Sequence, residues 1–108
     1  MVASLFLVEC FWPGVTRELV EAANARAGSA ALHSTSLRFL GSLLVPGDEV
    51  VLFHFAAASS EEVVRTSRAA DLPFDRITES VWLEAAADQP SQIGTNLTRS
   101  RSGPGRTS

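Results

Sequence analysis

The sequence predicts a two-layer α+β fold with the element order βαββαβ, and three observations carry that expectation. Four segments are rich in β-branched, aromatic and aliphatic residues and are bounded by turn or cap signals. Two others show helical apolar stripes behind a Thr or Ser cap. The second and third strand segments are separated only by Pro46-Gly47-Asp48, a connection so short that they must form an antiparallel hairpin.

Residues 3–12 read as the first strand and stop at Pro13-Gly14. Thr16 stands where a helix N-cap belongs, with Val15 and Val20 placed to staple the entry. Leu19, Val20, Ala23, Ala27, Ala30 and Ala31 then mark one face of the first helix, which Gly28 and Ser29 are expected to fray or break. Residues 36–45 form the second strand and 49–56 the third. The third is apolar at nearly every position, a pattern of strands covered on both faces. Ser59 and Glu62 make a capping box for the second helix, which buries Val63, Val64 and Ser67 and ends near Asp71, before Leu72-Pro73. Residues 77–84 alternate well enough for a fourth strand.

This order is the split βαβ arrangement of ferredoxin-like folds. Right-handed crossovers put the first and third strands in the middle of a four-stranded antiparallel sheet, with both helices on one face. The other face, roughly 19 by 20 Å and largely apolar, reaches about 400 Å², the upper end of what a soluble monomer exposes. No further element is expected to cover it. A homodimer follows, two sheets face to face around a barrel-like interior, a dimeric α/β-barrel assembly.

Composition narrows the rest. Of 108 residues, 45% are hydrophobic and 19% charged, which suits a single globular domain. Residues 1–87 carry six Arg against eleven Asp or Glu, a net of −5, a sign that repels nucleic acid. Residues 88–108 hold three Arg and one Asp among Ser, Thr, Gly and Pro, a composition expected to stay disordered. The domain is therefore assigned to 1–87 and the tail to 88–108. Cys10 is the only cysteine, so an intramolecular disulfide is excluded. No stretch approaches the ~20 apolar residues that cross a membrane. The apolar start has no basic residue before it and runs into Glu9, so a secretory signal is not expected. A cytoplasmic location is the expectation.

Certain stretches also resemble a known family. They are Phe6-Leu7-Val8-Glu9, Trp12-Pro13-Gly14-Val15-Thr16, Arg38-Phe39-Leu40-Gly41-Ser42 with Val45-Pro46, and Leu72-Pro73-Phe74-Asp75-Arg76-Ile77. In that order and spacing they look like small nickel-binding ferredoxin-like proteins, over about residues 4–84. The resemblance implies a dimeric ferredoxin-like sandwich and, for some members, nickel binding. The matched residues are mostly turn and packing signals, so they speak for fold more than for function.

Nickel favours imidazole, with thiolate or carboxylate as further ligands. The supply is His33, His54, Cys10 and several carboxylates. His54 interrupts an apolar central strand, as a ligand or pocket acid-base facing the dimer interior or as a hydrogen-bonded, semi-buried histidine. Cys10, on the neighbouring strand, joins it as a soft metal ligand or is a small buried hydrophobe. Glu9 is a buried carboxylate, paired or protonated, or a strand end reaching water. Arg38 is its ion-pair partner, a grip for an anion, or an edge residue in solvent. Trp12 and Trp82 are core or interface aromatics or a ligand platform. Asp75-Arg76 is expected to organise the turn into the last strand, and His33 to favour a helix C-terminus.

No Walker loop, GxGxxG, HExxH, CxxC or GxSxG motif occurs. Following the resemblance, the expected function is a non-enzymatic dimer that binds nickel or a small ligand on the sheet face, with Glu9, Trp12 and Arg38 at the pocket. A cofactor-free monooxygenase-like enzyme and a metal-free ligand-binding module are the alternatives.

Overall fold

Alternate side chains along the strands are buried, and that alternation decides which way the sheet faces. The computed structural model describes residues 3–86; the tail assigned to 88–108 lies outside them. Strand β1 (Ser4–Phe11) leads to helix α1 (Arg17–Ala31), then strand β2 (Leu37–Val45), a 3-10 turn at Pro46–Asp48, strand β3 (Val50–Ala57), helix α2 (Ser60–Ala69) and strand β4 (Arg76–Ser80). This is the expected βαββαβ order. The sheet runs β2-β3-β1-β4 with every pair antiparallel, a ferredoxin-like α+β fold.

Phe6, Val8 and Cys10 of β1 stand opposite Phe55, Phe53 and Val51 of β3. All six are buried, in one core with Val20, Ala23, Ala27 and Ala31 of α1 and Val63 of α2. Phe39 packs tilted against Phe53 and Phe55, ring centroids 6.3 and 5.2 Å apart, a favourable aromatic geometry. Among the described residues, no helix is long and apolar enough to cross a membrane.

Both helix starts are capped as the sequence foretells. Thr16 Oγ1 accepts from the Leu19 amide at 3.2 Å, and Ser59 Oγ from the Glu62 amide at 3.3 Å. The return half of the second box differs, because the Glu62 carboxylate reaches past Ser59 to the Ala58 amide at 3.3 Å. Nor does α1 break at Gly28. Ala27 and Ala31 on either side are buried. Arg26 Nε donates to the Ala70 carbonyl at 2.7 Å and its Nη2 to the Asp71 carbonyl at 3.3 Å, at the end of α2. Tertiary packing outweighs the ~1 kcal/mol that glycine costs a helix.

Two further departures shape the other side of the sheet. β4 ends at Ser80 instead of reaching 84, because Ser80 pairs with Leu5 and β1 itself begins at Ser4. In β2 the register shifts between Phe39 and Gly41, which makes Leu40 a bulged residue. Leu37 and Phe39 face the helices before the bulge, and Ser42 and Leu44 after it. Leu43, of the same parity as Phe39, is thereby moved to the helix-free side. Gly41 adopts φ +125°, a conformation that L side chains rarely adopt, although a Cβ there meets nothing within 4 Å. Gly41→Ala is accordingly expected to destabilise the fold by about 1–3 kcal/mol through backbone strain alone, read from urea unfolding. An unchanged midpoint would show the bulge to be unstrained.

Candidate functional site

The helix-free side of the sheet presents Leu5, Leu7, Glu9 and Phe11 of β1 and Val50, Leu52, His54 and Ala56 of β3. Among the described residues no element lies over it. His54, half-buried, has Leu7 beside it on one strand and Gly41 on the other. Gly41 has no side chain to fill the space next to the imidazole, and Leu40 bulges at its edge. The result is a cleft of about 370 Å³ lined by Leu5, Leu7, Leu40, His54, Ser80, Val81 and Trp82, with Phe6 and Phe55. An apolar cleft with one or two convergent polar groups is the usual form of a small-molecule site. Its imidazole can donate, accept or bind a metal.

The other residues singled out by sequence do not gather there. Cys10 lies on the helix side, fully buried opposite Val51. Strand alternation puts its thiol on the side of the sheet away from His54, so the expected Cys10–His54 pair cannot share one metal ion within a chain. Burial pushes the Cys10 thiol up to about 12, with the charges of Asp75 and Glu9 adding to the effect. Glu9 does face the open side, but Arg76 stands directly opposite it, Nε to Oε1 2.8 Å. Arg38 is therefore not its partner; it lies on β2 at the other edge, opposite Ala56. The Glu9–Arg76 pair is substantially exposed and contributes at most about 1 kcal/mol. Trp12 leaves the sheet after β1 and packs half-buried against the core, its amide donating to the Glu49 carbonyl at 2.7 Å. It lies outside the His54 cleft.

Asp75 does organise the entry to β4. Its amide donates to the Glu9 carbonyl at 2.8 Å, and its carboxylate accepts from the Phe11 amide. Trp82 is the residue that the sequence left unconnected to His54. It lies past the end of β4, so only the strand register reveals that it borders the same cleft. Among the described residues, no three His, Cys, Asp or Glu side chains form a group that could hold a metal ion.

A second cleft, about 460 Å³, separates the end of α1 from α2 and is lined by His33, Ser34, Ser36, Glu62 and Arg65 among others. Glu62 accepts from the Ser36 hydroxyl, from Ser34 Oγ at 3.4 Å and from the Ala58 amide. The Ser36 bond foremost holds its carboxyl below the ordinary range, and this cluster fastens the α1–β2 loop to α2. A depressed carboxyl stabilises the fold above its unfolded pKa and loses that contribution as pH falls through the folded one. Glu62→Gln is thus expected to lower the thermal midpoint at pH 7 and to converge with the parent in acid. A gap that persists at low pH would assign the effect to shape, not charge.

No family model and no curated protein matches this chain. Among solved structures, the crystal structure of SCO4226 from Streptomyces coelicolor A3(2) matches with a TM-score of 0.61 at 23% identity. The match covers 76% of this chain and 100% of that one. At this identity the likeness concerns the fold, and it agrees with the ferredoxin-like sandwich described above.

Cys10 yields a direct check. Held neutral and buried, it should resist thiol reagents at pH 8 in the native protein and react fully once urea unfolds the chain. Stoichiometric labelling of the folded protein would contradict its placement.

Proposed function

We propose that this chain is a small, non-enzymatic homodimeric binding protein whose site is the helix-free face of the sheet, centred on His54. One observation carries the reading: a half-buried imidazole set in a largely apolar cleft, on a sheet face that no described element covers. Packing two such faces together removes the apolar surface from water and encloses the clefts. The ligand that suits one cleft is a small, mostly apolar molecule with a single polar group for the imidazole.

Nickel belongs to this reading only through the dimer. Each copy offers one imidazole on the face, and Glu9 is engaged with Arg76. A nickel ion would draw on His54 of both copies. An enzyme of the cofactor-free monooxygenase-like kind has one point in its favour, the meeting of His54 and Trp82 at one cleft. Asn24 does not join them, because it accepts from Ser42 Oγ at 2.7 Å on the helix side. A cytoplasmic location fits a lone, reduced thiol, and the acidic body argues against nucleic acid as a partner.

Native mass spectrometry of the purified full chain, before and after incubation with nickel, tests the proposal. The expected spectrum is a dimer that retains an organic ligand or takes up one nickel ion per dimer. His54→Ala should weaken either by about tenfold or more, the order expected for losing a buried polar contact. A monomer binding neither, or uptake that His54→Ala leaves unchanged, refutes it.

A further inference from the structure

We infer that Val81, Trp82 and Leu83 form a docking arm for a second copy of this chain, so that each His54 cleft is closed by the partner's Trp82. The inference rests on the homodimer reading above and adds what completes its site.

The arm follows from where the sheet runs out. Ser80 takes one of the last pairing positions on β1, opposite Leu5, yet the sequence continues in strand-forming residues that pair with no described strand. Val81, Trp82 and Leu83 are 79%, 73% and 80% exposed. Single exposed apolar residues are ordinary, but three in a row beside an apolar cleft mark a contact surface. The indole is ready for burial, since its Nε1 already donates to Glu84 Oε2 at 3.0 Å and would carry no orphaned donor into an interface.

Area and symmetry together favour a second copy as the occupant. Four strands averaging between seven and eight residues give a face of roughly 19 by 25 Å, about 475 Å². A stable interface needs about 800 Å² from each partner, so the flat face alone falls short by roughly 300 Å². One tryptophan buries about 150–250 Å², and a valine and a leucine beside it cover the remainder. Symmetry supplies the position. A twofold axis running along the strands lays β4 of one copy over β2 of the other at the same end of the sheet, with Ser80 level with Arg38, two residues before the bulge at Leu40. The arm then crosses the cleft in trans.

The test uses the full-length chain with Trp12→Phe, which leaves Trp82 as the single indole, followed by fluorescence and sedimentation across a dilution series. The expected result is an emission that shifts to the blue as the dimer forms and returns to the red as it dissociates. Trp82→Ala with Leu83→Ala should weaken dimerisation roughly 100-fold or more, because each loss counts twice across a twofold interface, with circular dichroism unchanged. A dimer of unaltered affinity in that variant, or one in which Trp82 stays solvated, overturns the arm and leaves the homodimer reading standing. A monomer at every concentration overturns both. The same holds for a monomer whose Trp82 is always shielded, as residues 87–108 folding onto the face of their own chain would produce.

Discussion

The antiparallel pairing of β1 with β3 is the constraint on which the rest of this molecule depends. It sets Phe6 against Phe55, Val8 against Phe53 and Cys10 against Val51 under the helices, and Leu7 against His54 on the other side. Strand side chains alternate, so a slip of one residue would send Phe53 and Phe55 toward water and draw His54 into the core. Two large fully buried aromatics hold this register. The same pairing that builds the core therefore places an imidazole on an apolar outer face.

Signals confined to a few neighbouring residues were readable in the sequence. The caps at Thr16 and Ser59, the hairpin at Pro46-Gly47-Asp48 and the order of elements depend on contacts within four or five positions, and each appears as expected. Features set by distant partners were not. Whether Cys10 could meet His54 depends on the β1–β3 register, which no local pattern encodes. Glu9 finds Arg76 and not Arg38 because β4, not β2, lies beside β1. The end of β4 is dictated by the start of β1, and the persistence of α1 through Gly28 by its packing and the Arg26 contacts. His54 itself could be picked out as a polar interruption of an apolar strand. Trp82 could not be tied to it, since the two meet only through the sheet.

Electrostatics on the two sides of the sheet differ in kind. On the helix side, burial and nearby carboxylates keep the one thiol neutral, which suits packing and not reaction. On the open side, the charged residues Glu9 and Arg76 neutralise each other directly across the β1–β4 pair, while Asp75 occupies the amide of Phe11 where the strands part. The pairing leaves His54 as the ionisable side chain of the central strands bordering the apolar cleft.

Arg26 has a consequence for how the fold comes apart. Its guanidinium occupies two carbonyls that a helix C-terminus otherwise leaves to solvent, and it does so from the neighbouring helix, 44 residues away in sequence. Fraying of α2 from its end must first release the Arg26 side chain of α1. The two helices should therefore exchange their amide hydrogens as one cooperative unit, while the sheet edge at β4 opens independently and at lower free energy.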